Sequence, residues 1–207
     1  MIGQNTLRTM QAYNQTAKEY AEKTKHLDMA HEREIFLRNM RPKGYVLDIG
    51  CGWGKDAKIF TDLGYNVTGI DISENLLTIA RKTSPTSQFV QVDFRQIPFL
   101  EQSFDGLWAS ASLLHAETKS EVAELLAEWN RIFRTGGKAY IVVKQGVDEE
   151  DMEDKRYQGV VKHYCYFQEE EIKDLVRKAG FKKVVTELPQ KSDPYYTHPW
   201  INIYATK

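Results

Sequence analysis

Asp48, Asp71 and His115 are the residues whose types and positions best suit them to chemistry. Asp48 stands two residues before Gly50, the first of three closely spaced glycines, Gly50, Gly52 and Gly54, with Cys51 between the first two. The apolar run Tyr45-Val46-Leu47 leads into this turn, a strand-loop-helix pattern that brings backbone close to a ligand. Gly50 permits a sharp turn, and Gly52 keeps a Cβ out of the ligand's path. These features point to a nucleotide-type pocket. A phosphate-binding loop would end in Gly-Lys-Ser/Thr, which is absent here. A dinucleotide fingerprint fails as well, because Lys55 takes its sixth position and the third glycine comes one residue early. A carboxylate at position 48 repels pyrophosphate and suits a cationic or hydrogen-bond-donating ligand. Asp71 lies 21 residues beyond Gly50, the length of a turn, a helix and a returning strand. A carboxylate there can accept hydrogens from both hydroxyls of a ribose. His115 follows a later apolar run; an imidazole, partly neutral near pH 7, can take a proton from an incoming nucleophile. The plainer alternative is a hydrogen-bonded loop histidine.

These residues need a sheet to hold them. Residues 66–70 read as a second buried strand reaching Asp71, with Ser73 as N-cap of a helix over 74–82. Residues 89–92 and 104–109 read as further strands. Ala57, Ile59, Phe60 and Leu63 form the apolar face of the helix after the glycine turn. Thr118 and Glu121 form a capping-box pattern, and Val122, Leu125, Leu126, Trp129, Ile132 and Phe133 recur at helical spacing. Gly136-Gly137 reads as the stop of that helix, followed by a fully apolar strand over 138–143. Ahead of the first strand, residues 9–22 and 27–40 read as helices. Tyr13, Ala17 and Tyr20 share one face of the first, and Ile35, Phe36 and Met40 are core contacts of the second.

Composition narrows the class. A chain of 207 residues with 42% apolar content supports one compact domain. The 28 basic and 29 acidic residues leave a formal charge of −1, so no broad positive field marks nucleic acid as a partner. Two cysteines, Cys51 and Cys165, give no disulfide framework. His26 and His31 are off a common helical face, and no metal is expected. No apolar run approaches the roughly 18 residues of a membrane span, and the polar N-terminus lacks a signal-peptide core. A soluble cytoplasmic protein is the expectation.

VLDIGCGWG, followed by VTGID, closely resembles the first two motifs of the seven-stranded S-adenosylmethionine-dependent methyltransferases. The resemblance continues in the expected order through VQVDF, SFDGLWASASLLH and EWNRIFRTGGKAYIVV, over residues 44–143. It implies an α/β fold, a Rossmann-like three-layer sandwich whose seven-stranded, mostly parallel sheet has its last strand antiparallel. It also implies a single domain, with residues 1–43 as a helical cover, 44–143 as the donor-binding core, and 144–207 as an acceptor-side lid and the last strands. The implied cofactor is S-adenosyl-L-methionine, with S-adenosyl-L-homocysteine as product. By the same resemblance Asp48, Gly50, Cys51, Gly52 and Gly54 cradle the donor, and Asp71 with Ile72 holds its ribose. Asp93 receives the adenine amino group, and the backbone of Phe94 meets the ring. The backbone around Ala109 and Ser110 lies beside the methionine moiety, and His115 faces the acceptor.

The segment after residue 143 changes character. Six of the seven residues 148–154 are acidic and read as a solvated, mobile connection. In the expected topology Lys144, Arg156, His163, Tyr164 and Tyr166 gather at one end of the sheet. They line an acceptor pocket in which Lys144 or Arg156 reads a carboxylate or phosphate, or else they form a lid whose cations pair with its own acidic run. Tyr13 and Tyr20 either close over the site or simply pack. Residues 168–179 read as a helix stopped by Gly180, with two final strands over 181–188 and 200–206. In the loop between them Tyr195, Tyr196 and His198 border the acceptor site or are merely exposed. ASAS stands where the amino-methylating DNA enzymes of the wider family carry an Asn-Pro-Pro-Tyr type motif, which points away from base methylation. A small-molecule acceptor therefore leads. An RNA or protein acceptor and a non-enzymatic donor-binding role are the alternatives.

Overall fold

Apolar runs alternating with amphipathic segments make this chain alternate strand and helix. The computed structural model describes residues 2–189 and 198–207. Two helices lead, α1 (Gln4–Thr24) and α2 (Ala30–Leu37). There follow β1 (Tyr45–Ile49), α3 (Lys55–Asp62), β2 (Asn66–Asp71), α4 (Glu74–Thr83), β3 (Gln88–Gln91) and β4 (Phe104–Ser110). Beyond them come α5 (Val122–Ile132), β5 (Phe133–Lys144), β6 (Glu149–Glu153), β7 (Val161–Cys165), α6 (Glu169–Lys178), β8 (Lys182–Glu187) and β9 (Trp200–Thr206). Seven strands form one sheet in the order β3-β2-β1-β4-β5-β9-β8. β9 runs antiparallel to both of its neighbours, while β1 to β5 pair in parallel.

Successive strand residues point to opposite faces, so each face builds its own core. Leu47, Ile49, Leu107, Ala109, Ile141 and Ile203 meet α5 and α6 through Leu126, Trp129, Ile172 and Val176. Val46, Trp108, Tyr140 and Val142 meet α2 and α3 through Phe36, Ala57 and Phe60. Trp108 stacks on Tyr140 at 4.1 Å and takes Phe36 and Phe60 edge-on at 5.2 Å. Its indole N–H donates to Asp56 (3.1 Å), which also receives Arg33 of α2 (2.8 Å). That pair fixes α2 against α3. Three layers result, as expected.

Four local expectations change. Leu63 is 58% exposed, because α3 ends at Asp62 and the following turn carries Leu63 outward. No capping box forms at Thr118, which begins a short 3-10 turn; the Glu121 carboxylate accepts the Glu117 N–H instead. Gly136-Gly137 does not stop a helix but lies within β5, where residues 134–137 bulge out of register against β4. At Gly137 a Cβ would sit 2.6 Å from the Phe133 ring, so only glycine lets the bulge fold flat. The acidic run is a strand rather than a loose connection: β6 pairs with β7 as an antiparallel hairpin. Cations beside it make this possible, with Arg8 on Asp151 and both Arg156 and Lys162 on the adjoining Asp154. Among the described residues no helix is long and apolar enough to cross a membrane.

Candidate functional site

The glycine turn is held from both sides. At the end of β1 the N–H groups of Gly50 and Cys51 both donate to the Ile70 carbonyl, at 2.8 and 3.0 Å. Asp71, closing β2, accepts the Gly52 N–H on one oxygen (2.9 Å) and the Ser73 N–H on the other (2.8 Å). Ser73 caps α4, as its type demands. All three glycines have positive φ, at 69°, 54° and 82°. At Gly50 a Cβ would lie 2.5 Å from the Ser112 Cβ, whereas at Gly52 the nearest atom is a Tyr20 ring carbon at 3.7 Å. Gly50→Ala therefore combines backbone strain with a clash and should destabilise the fold by on the order of 3 kcal/mol. Gly52→Ala meets strain alone, at about 1 kcal/mol. Urea melts of the two variants check the ranking. Gly54 serves packing instead, since a Cβ there would lie 2.9 Å from Ala80 of α4.

Two hollows meet at this turn and share Tyr20, Gly50, Gly52 and Ser110. The first, about 550 Å³, lies over Asp71, Ile72, Leu76, Val92, Phe94 and His115. The second, about 520 Å³, is lined by Asp48, Cys51, Trp53, Lys55, Asp56 and Met29. Asp48 is 3% exposed, and its Oδ2 has no hydrogen-bond partner. Burial, with Asp56 and Asp71 close by, raises its pKa well above the carboxylate range. Burial also raises Asp71, partly offset by the N–H groups of Ser73 and Gly52.

α1 covers the first hollow and is fastened along its length. Its first-turn N–H groups, at Asn5 and Thr6, donate to Glu117 (3.2 and 2.8 Å), a good place for an anion. Asn14 takes the Ser73 hydroxyl (2.7 Å), and Thr24 takes the Trp53 indole (2.9 Å). Tyr13 and Tyr20 pack edge to face at 5.3 Å.

His115 sits beneath this cover. Its Nδ1 is 2.8 Å from the His163 carbonyl and its Nε2 is 3.0 Å from the Tyr13 hydroxyl. A carbonyl only accepts, so Nδ1 carries the proton and Nε2 accepts from Tyr13. Burial, reinforced by Lys162 and Lys144, lowers the His115 pKa to about 3 and keeps the ring neutral.

Several expected residues lie elsewhere. The Asp93 carboxylate is bound by Arg95 (3.0 Å from Nε), and the hollow is reached by its neighbours Val92 and Phe94. Ala109 belongs to the core, and Ser110 alone of that pair reaches both hollows. Arg156 is spoken for by Asp154 (2.9 Å from Nε). The His163 ring leaves the aromatic face for Asp151 (3.0 Å), because alternation along β7 puts it opposite Lys162 and Tyr164. Tyr164 does approach His115, with ring centres 4.9 Å apart, and Tyr166 stacks between Tyr164 and His198. Lys144 lies over the Tyr164 ring at 3.9 Å. Tyr195 and Tyr196 lie outside the described residues. Sequence reasoning passed over Lys162, which is 0% exposed, bonded to Asp154 (3.0 Å) and seated 3.9 Å over the Tyr13 ring. The period-two pattern of a strand would have grouped it with Tyr164 and set His163 apart. On the other hairpin face Glu149, His163 and Cys165 bring ligand-type atoms within 4.8 Å of one another, a group hidden in sequence because two strands supply it. Glu149 there accepts the Lys119 N–H (2.5 Å).

Residues 47–141, from β1 into β5, match the family model described as a methyltransferase domain. Over these residues the chain carries a methyltransferase domain. Among curated relatives, this chain is 28% identical to an O-methyltransferase of Pyrenophora dematioidea, over 77% of this chain and 63% of that one. It is 30% identical to an O-methyltransferase of Penicillium expansum, over 78% of this chain and 61% of that one. It thus spans about three fifths of the length of both. Among solved structures, the 1,6-didemethyltoxoflavin-N1-methyltransferase of Burkholderia thailandensis, with bound 1,6-didemethyltoxoflavin and S-adenosylhomocysteine, superposes with a TM-score of 0.75. That match has 22% identity and covers 98% of this chain and 87% of that one. At this identity the likeness speaks for the methyltransferase fold alone.

Proposed function

We propose that the protein transfers a methyl group from S-adenosyl-L-methionine to a small-molecule acceptor by in-line displacement. The observation that carries this reading is the buried, unpartnered Oδ2 of Asp48 beside the glycine turn. An uncompensated buried acceptor is costly, and the ammonium of an amino-acid moiety would satisfy it. The residues present fit the donor elsewhere too. Each Asp71 oxygen spends one lone pair on a backbone N–H and keeps another for a ribose hydroxyl. Ile72, Leu76, Val92 and Phe94 offer an apolar slot for a flat base. Asp93 acts at one remove, bound to Arg95 between two residues of that slot. When bound, the donor supplies an electrophilic methyl on a sulfonium and leaves as S-adenosyl-L-homocysteine.

The chain's part is alignment and exclusion of water. Residues 1–43 act as the cover, residues 44–143 as the donor-binding core, and residues 144–207 as the acceptor-side lid and last strands. Tyr13 and Tyr20 wall the hollow. His115 presents Nε2 where the acceptor's X–H would replace the Tyr13 hydroxyl, holding the nucleophile and receiving its proton.

The test is a calorimetric titration with S-adenosylmethionine, with NAD as the parallel control. Saturable binding of the methyl donor alone is expected, with Asp71→Ala weakening it about a hundred-fold through two lost charge-assisted bonds. Binding of NAD alone, or equal donor affinity in the variant, would overturn the reading.

A further inference from the structure

The proposed acceptor side holds more positive charge than it neutralises. Lys144 lies over the Tyr164 ring, Lys162 over Tyr13 and Arg156 over Tyr20 and Tyr157, and Asp154 is the one carboxylate among the described residues that pairs with any of these cations. It serves Arg156 and Lys162 together. Lys144, at the end of β5, is only 7% exposed and forms no ion pair with a described residue. Its ammonium rests on the Tyr164 ring at 3.9 Å, with Trp200 at 6.0 Å. The nearby Glu150 is bonded to the Tyr166 hydroxyl (2.9 Å). Ring contacts return less than the loss of water takes from a buried ammonium. Consistently, burial and the neighbouring Arg156 lower the Lys144 pKa to about 8.

We infer that Lys144 is an acceptor-specificity residue, and that the molecule methylated here carries a carboxylate or phosphate which pairs with it beside His115. This rests on the methyl-transfer reading of the site. Tyr164 links the two ends: it carries the Lys144 ammonium and lies 4.9 Å from the His115 ring. The anion would thus dock about one aromatic ring away from the nucleophile. Tyr13, Tyr20 and Tyr164 suit a flat apolar body between anion and nucleophile. The anion also serves the reaction. Placed among the cations that disfavour a proton on His115, it would ease proton transfer to Nε2.

The experiment follows thermal midpoints of wild type, Lys144→Met and Lys144→Arg at constant ionic strength. Benzoate, phenyl phosphate and benzyl alcohol are titrated with and without saturating S-adenosylhomocysteine. The expected result is a saturable rise in the wild type with one anion and none with benzyl alcohol. Benzoate or phenyl phosphate then tells carboxylate from phosphate. Lys144→Met should bind that anion at least about ten-fold more weakly and melt higher when ligand-free, while Lys144→Arg keeps the response. The inference is overturned if benzyl alcohol acts like the anions, if wild type and Lys144→Met respond alike, or if neither anion shifts the wild type. The donor reading fails separately, if S-adenosylhomocysteine itself raises no midpoint.

Discussion

The His115→Asn variant is expected to lose about a hundred-fold in kcat while binding the methyl donor as the wild type does. The size follows from the ring's surroundings. General bases contribute most when their pKa lies near the working pH, and His115 is held far below it, at about 3, by burial and two lysines. Such a ring accepts a hydrogen bond well but holds a proton poorly, which places the effect at the low end of the general-base range. The sign for pH follows from the same cause. The neutral, competent form prevails above about pH 3, so kcat/KM should show no acid limb from His115 between about pH 5 and 8. A limb near pH 6.5 that vanishes in His115→Asn would mean a solvent-open histidine and a different role. Single-turnover rates with donor bound, alongside donor titrations, separate the loss in kcat from any loss of binding.

Asp48→Asn should move stability and binding in opposite directions. In the folded protein the Asp48 pKa lies well above its unfolded value, so the folded state keeps a proton that the unfolded chain releases. Its contribution is present below the unfolded pKa and is lost as pH rises toward the folded one. The asparagine variant carries no such loss, so its midpoint relative to wild type should climb as pH rises across that window. Donor affinity should fall instead, by about ten- to a hundred-fold, because an ammonium–carboxylate bond becomes a neutral one. Wild-type binding should also release a proton at Asp48 that the variant does not, read by titrating in two buffers of different ionisation heat. A midpoint difference independent of pH, with unchanged donor affinity, would remove Asp48 from the donor site.

The geometry of the proposed donor half was legible because it follows from local chemistry. A strand ending in glycines, an acidic strand end and a serine cap each state their geometry within a few residues. Gly50 and Gly52 take the positive φ of a sharp turn, Asp71 closes β2 and Ser73 caps α4, as their types and spacing state, while their hold on the donor is the proposal. The acceptor side was hard because it depends on which face of a strand a residue takes, and the strand itself went unrecognised. With residues 148–154 read as loose, nothing fixed the parity of β7, so His163 was grouped with Tyr164 and Lys162 was passed over. The Arg156 carboxylate partner, Asp154, lay within that same run. Gly136-Gly137 misled for a related reason: two glycines suit a helix stop and a bulge equally, and only the Phe133 ring decides.

The seating of β9 bears on how the chain assembles. β9 occupies a slot between β5 and β8, and β8 joins the sheet through β9. Until it arrives, the outer edge of β5 offers a row of unpaired backbone groups flanked by the apolar residues Tyr140 to Val143. Closing that slot joins residues 56 to 68 positions apart, from the pairing of Lys144 with Trp200 to that of Lys138 with Thr206. The entropy of so long a loop must be met before any bond of the pair forms, which makes this a late step. An intermediate with its parallel half built and β5 bare is the species most exposed to edge-to-edge association. The same strand that completes the sheet thereby guards the chain against aggregation.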